Sequence, residues 1–171
     1  MSQKLFFFFR FAFVSLLGVL LHFTYDWSGK NPFVGLFSSV NESAWEHLKL
    51  FFFPMLLLTL FEFRRHKGNF LSFFSARTVA IFTGMSFILI VFYTFWGISG
   101  RLIDFVNISI FFAGVFFALS IEQSLTNKKP LLEFCTSITI LAVFTLLFFI
   151  FTYKPPQLGI FYDLSLHPKR G

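Results

Sequence analysis

Apolar runs long enough to cross a bilayer recur five times in this chain, at residues 5–25, 42–63, 77–96, 104–121 and 132–153. A helix rises about 1.5 Å per residue, so roughly 20 residues cover the roughly 30 Å of membrane hydrocarbon. The chain has 171 residues, of which 56% are hydrophobic and 13% charged, and its mean hydropathy is +0.76. A water-soluble domain of that length has too little interior for so much apolar surface. The expectation is an all-α fold: one domain over residues 1–171, an integral bundle of five transmembrane helices, with a tail at 154–171 and the lipid bilayer as partner. Lys4 and Arg10 around the first run resemble a secretory leader. No small-x-small cleavage pattern follows, and the run passes into Leu20-Leu21-His22-Phe23, so it reads as a retained first span. Together the spans predict a multi-pass protein of the cell membrane.

Basic residues set the orientation. With the N-terminus inside, Lys4, Arg10, Arg64, Arg65, Lys67, Arg77, Lys128 and Lys129 are cytoplasmic. Lys30, Lys49, Arg101, Lys154, Lys169 and Arg170 then lie outside, giving N-in/C-out. The net charge of +6 has no basic helix standing apart from the spans, which argues against nucleic acid as a partner. The one cysteine, Cys135, excludes an intrachain disulfide and any Cys-based metal motif. The 32 phenylalanines fit Phe-for-Leu drift in an AT-rich genome better than an aromatic cofactor box.

The second span poses a length problem. Its purely apolar part, residues 50–61, has 12 residues, or about 18 Å. Counting about 30 Å back from Glu62 puts the helix start near Glu42, which draws Glu46, His47 and Lys49 to membrane depth. The alternative is a thinned bilayer. An ionisable residue at that depth faces other helices and marks a functional site by default. Pro54 is placed to kink this span. Elsewhere, Arg10 is expected to snorkel to the near interface. Residues 33–37 after Pro32 are too short to span, residues 70–74 read as a brief interfacial piece, and residues 97–100 as a tight turn.

This topology gathers His22, Asp26, Glu42, Glu46, His47, Tyr93, Asp104, Tyr162 and Asp163 on one side. Imidazoles and carboxylates suit a divalent ion, with His22, Asp26, Glu46 and His47 as expected ligands. Glu42 is the expected base, Glu42 and Glu46 are the catalytic candidates, and Tyr93 and Asp104 complete the ligand-binding set. Simpler roles compete. Ser39-x-x-Glu42 fits a capping box. Glu46 and Lys49, three apart, can neutralise each other. His22 can be a hydrogen-bonded interfacial histidine, and Asp104 can cap its helix. Three readings stay open: an outward-facing metal- or ligand-binding site, possessed or not of hydrolytic activity; a small transporter or channel component; and a structural or accessory protein whose polar groups lock helices. Enzyme status, substrate and oligomeric state are not specified by these residues.

The run His22-Phe23-Thr24-Tyr25-Asp26-Trp27-Ser28, then Asn31-Pro32-x-Val34-Gly35-Leu36-Phe37, then Val40-Asn41-Glu42-Ser43-x-Trp45-Glu46-His47-Leu48-Lys49, resembles a family of small bacterial multi-pass membrane proteins of unknown function. Tyr93-Thr94-Phe95-Trp96-Gly97-Ile98-x-Gly100 with Asp104 is similar to its second recurrent stretch. Relatives tend to carry proline after the tail aspartate, where Leu164 stands here. The resemblance implies a bacterial inner-membrane location and supplies no activity or cofactor.

Overall fold

A computed structural model describes residues 2–64, 68–126 and 128–166. Among these described residues six α-helices run in the order α1 (Gln3–Trp27), α2 (Pro32–Gly35), α3 (Ala44–Phe63), α4 (Phe70–Ser99), α5 (Asp104–Leu125) and α6 (Phe134–Tyr153). Two 3₁₀ turns, Gly159–Phe161 and Leu164–Leu166, follow. Among the described residues there is no strand; one isolated bridge pairs Ser43 with Asp163. All but α2 are long and apolar enough to cross a membrane.

The length problem of the second span resolves through its position. α3 is the least apolar of the five long helices, and 72% of its most apolar window is buried, against 17–28% for the others. The helix with too little greasy sequence is the one its neighbours wrap. Phe51, Phe52, Met55 and Leu58 meet Val14 of α1, Ala80 and Ile81 of α4, Val115 and Leu119 of α5, and Phe148 of α6 in one core. The outer helices turn Phe8, Leu16, Ile90, Phe105 and Leu146 outward instead. Phenylalanine packs ring edge to ring face between helices, as in Phe82–Phe144 and Phe13–Phe61. Such pairs add to plain area burial.

Small residues set the closest approaches. A Cβ at Gly18 would lie 2.5 Å from the Leu50 carbonyl and 2.5 Å from the Phe111 ring. That carbonyl is the one that a residue-54 amide would have bonded, and Pro54 has no amide to give. The bare α1 backbone thus approaches α3 where Pro54, inside the continuous helix, frees an acceptor. Between α4 and α5, Gly84 faces Ala118 and Gly114 faces Ile88. Gly114 and Ala118 form the small-xxx-small pattern of close helix pairs.

Several local expectations change. α3 is capped by Ser43, whose Oγ accepts from Glu46 N, so Ser39-x-x-Glu42 is not the capping box and Glu42 lies before the helix. Residues 70–74 are the first turns of α4, a single 30-residue helix. Residues 97–99 belong to that helix, and Gly100 ends it in the left-handed conformation, φ 63°. Ile103 is the N-cap of α5, which leaves Asp104 in its first turn, where a carboxylate still favours the helix dipole. Arg10 does not snorkel; it is buried within the bundle. Of the predicted cytoplasmic basic link, Arg65 and Lys67 lie outside the described residues, as do Lys169 and Arg170 of the tail.

Candidate functional site

The site starts from a stripe on α1. Arg10, Val14 and Gly18 are four apart and all buried, so they form the face that meets the bundle. The next position on that stripe is His22, half-buried at the far end. α2 and the loop behind it then fold the chain back beside α1. Ser38 Oγ donates to Leu21 O and accepts from Tyr25 N at 3.0 Å. Tyr153 donates to Pro32 O, and Lys49 Nζ donates to Gly35 O at 2.8 Å. The loop therefore enters α3 at Ser43 with Glu42 and His47 on either side of the cap.

These folds bring His22, Glu42 and His47 together, with one ligand atom from each lying within 4.8 Å of the others. His47 Nε2 is 3.3 Å from one Glu42 oxygen, and His22 Nε2 is 4.0 Å from the other. The two imidazole rings are 5.3 Å apart. The far nitrogen of each ring is engaged. His47 Nδ1 lies 2.9 Å from Ser43 O, and a carbonyl can only accept, so Nδ1 carries the proton. His22 Nδ1 lies 3.3 Å from Ser39 Oγ. Both Nε2 atoms are thus turned toward the carboxylate. If neutral, His47 presents a bare lone pair to Glu42, so the pair needs either a proton or a cation between them. The hydrogen bond from His47 holds the Glu42 carboxyl below its ordinary value. The cluster stays open: the side chains are 31%, 51% and 38% exposed for His22, Glu42 and His47.

Glu46, expected among the ligands, faces elsewhere. Its carboxylate accepts from Val40 N at 2.9 Å and pairs with Lys49 Nζ at 2.6 Å, both groups being essentially inaccessible. Lys49 also donates to Gly35 O and to Thr152 Oγ1 at 2.9 Å, so all three of its protons have acceptors. This is the neutralising i,i+3 pair, and it ties α2, α3 and α6 together. Glu42 and Glu46 do not share a helical face, because Glu42 is outside the helix. Asp26, next on the α1 stripe, is exposed and is not in the three-residue group. Asp104 is exposed at the start of α5; both carboxylates lie within electrostatic reach of His22. Tyr93 is half-buried, its hydroxyl 3.4 Å from Gly159 O. The tail crosses the mouth: Asp163 Oδ2 accepts from Glu42 N at 3.3 Å, and Phe161 packs on Trp45 at 4.9 Å.

A second charged cluster, which no local motif marks as a unit, closes the bundle. At the other end of the bundle Arg10, Glu62, Arg77 and Glu122 come from α1, α3, α4 and α5. Arg10 Nε is 2.9 Å from Glu62, and its guanidinium also meets Glu122. Arg77 pairs with both Glu62 and Glu122 and donates to Thr59 Oγ1 at 3.0 Å. The signal for it was present: each of the four interrupts or borders an apolar run on the side that the charge pattern makes common to all of them.

No curated protein and no solved structure gives a significant match to this chain. The family model that does match spans residues 1–170, and the chain belongs to the family of unknown function DUF6512.

Proposed function

We propose that this chain is a multi-pass integral membrane protein of the cell membrane that holds a divalent transition metal, zinc by its donor set, on His22, Glu42 and His47. The observation that carries this reading is the convergence of two Nε2 atoms on one carboxylate while each far nitrogen is engaged by Ser43 O or Ser39 Oγ. Metal-binding histidines are oriented by such outer bonds. Two imidazoles and a carboxylate with an open fourth position match catalytic rather than structural zinc sites. A water bound there would be activated for hydrolysis. Glu42, first expected as the base, serves as the third ligand. Asp26 and Asp104 are the remaining carboxylates near His22. With the N-terminus in the cytoplasm, the site faces outward, as the basic residues favour.

A transport role has less support. Between the two charged ends, the described residues that fill the interior are mainly apolar, with Val14, Phe51, Phe52, Met55, Ile81 and Leu119 at its centre and no buried charge among them. The test is metal content. Full-length chain purified in detergent, loaded with zinc and dialysed, should keep about one equivalent by mass spectrometry of the metal. His22→Ala/His47→Ala should keep none while retaining its helical circular dichroism. Wild-type chain without zinc, or a variant that retains as much, would overturn the reading. In a Cys135→Ser background, Ser28→Cys should react with an impermeant maleimide in intact cells; protection there would reverse the orientation.

A further inference from the structure

At the end of the bundle opposite the histidine cluster, the loops before α4 and before α6 border an open recess of about 430 Å³. Gly68, Asn69 and Ser72 line one wall, and Thr126, Lys128, Lys129 and Pro130 the other. Among the described residues no carboxylate is in that lining, so Lys128 and Lys129 make it cationic. The wall is held in place. Ser75 Oγ, buried in α4, accepts from Leu131 N at 2.9 Å and Leu132 N at 3.0 Å. Ser72 Oγ lies 3.4 Å from Lys128 O. These bonds clip the α5–α6 loop over the start of α4, with both lysines above the recess. The Leu71 and Ser72 amides in the first turn of α4 are already bonded to Asn69 Oδ1, so the lysines supply the main attraction for an anion.

The neighbouring side chains have the opposite character. Phe70 and Leu131 directly follow the lining residues Asn69 and Pro130, Phe134 packs on Phe74 of α4, and the three are 47%, 66% and 43% exposed. A cationic recess edged by exposed apolar side chains at the end of a bundle of this kind suits an amphiphile with a phosphate head. We infer that this recess binds the phosphate headgroup of an anionic phospholipid, with its acyl chains running over Phe70, Leu131 and Phe134. A soluble phosphate would meet the same lysines but would gain nothing from that rim.

The probe is phosphatidylglycerol, compared with phosphatidylcholine, added to the full-length chain in detergent and followed by native mass spectrometry. Phosphatidylglycerol should be retained about tenfold more than phosphatidylcholine, and Lys128→Gln/Lys129→Gln should remove most of that preference. Lys30→Gln/Lys154→Gln, at the other end, should leave it unchanged. Thermal unfolding in lipid-free micelles reports whether each variant is folded, as expected for exposed side chains. Equal retention of the two lipids, or a preference that survives Lys128→Gln/Lys129→Gln, overturns the inference. If glycerol 1-phosphate or inorganic phosphate displaces the lipid at equal concentration, the head alone is recognised and the assignment to a lipid fails.

Discussion

The two ends of the bundle hold ionisable groups in opposite ways. Arg10, Arg77 and Glu122 are buried and Glu62 is largely so, and each carboxylate meets both guanidinium groups. Glu46 and Lys49, nearer the other end, are equally buried and fully partnered. The His22, Glu42 and His47 cluster is partly open, and its ring nitrogens converge on one carboxylate. A charge that a fold hides and pairs serves the fold, because removing its partner is costly. A cluster left open, with three potential donor atoms turned toward one another, has room for something else. Membrane depth alone does not tell the two apart: Glu46 and His47 are adjacent in sequence and belong to different classes.

The largest effect should come from breaking the closed end. Arg77→Met leaves Glu62 and Glu122 facing each other with one cation between them, and should cost about 3–5 kcal/mol. Thermal unfolding in detergent reads this, and a variant as stable as wild type would show that the cluster does not hold the four helices. Glu46→Gln should cost about 3 kcal/mol, because Lys49 is left charged and buried. The folded fraction of Glu46→Gln should still bind zinc. Selective loss of zinc at full stability would move Glu46 back into the site and erase the contrast drawn here. Gly18→Ala should cost about 1–3 kcal/mol by forcing α1 off the Leu50 carbonyl. His47→Ala, at a partly exposed position, should cost at most about 1 kcal/mol, yet weaken zinc affinity by at least about 100-fold. Isothermal titration beside a melting curve separates the two effects, and a large stability loss with intact zinc binding would place His47 among the structural groups.

Much of this architecture is legible in the sequence, and the reason for each gap is physical. Run length and hydropathy mark the five long helices, because nothing else accommodates such runs. Helix faces are less legible. Helices that are apolar all round carry no amphipathic stripe to say which side packs, so the turn of Arg10 and Arg77 into the core left no trace in periodicity. The choice between Glu42 and Glu46 turns on overlapping signals. Ser39-x-x-Glu42 and Ser43-x-x-Glu46 are two capping boxes offset by four residues. The structure uses the second start, with Ser39 turned to His22 and Ser43 N bonded to Asn41 Oδ1. That shift of one turn sends Glu46 inward to Lys49 and leaves Glu42 free to face two histidines. His22, from another helix 25 residues before His47, lies at the same end of the bundle, its ring 5.3 Å from that of His47.

The smallest expected effect is a pH dependence that belongs to the open cluster. Glu42 is held below its ordinary value, first by the hydrogen bond from His47. A carboxyl depressed in the folded state stabilises that state above its unfolded value, and the contribution fades as pH falls through the folded value. The difference in melting temperature between wild type and Glu42→Gln should therefore be present at neutral pH and shrink on acidification below the ordinary carboxylate range. Half exposure of Glu42 keeps the effect small. The buried pair sets the comparison: Glu46→Gln should remain well below wild type over the same pH window, because Lys49 stays without its counter-ion. Metal adds a second lever. Zinc on the three residues competes with the proton on His47 Nε2, so saturating zinc should raise the melting temperature of wild type at neutral pH and lose that power in acid. A zinc shift that is independent of pH, or equal in Glu42→Gln, would remove Glu42 from the site and leave the two histidines as a surface pair.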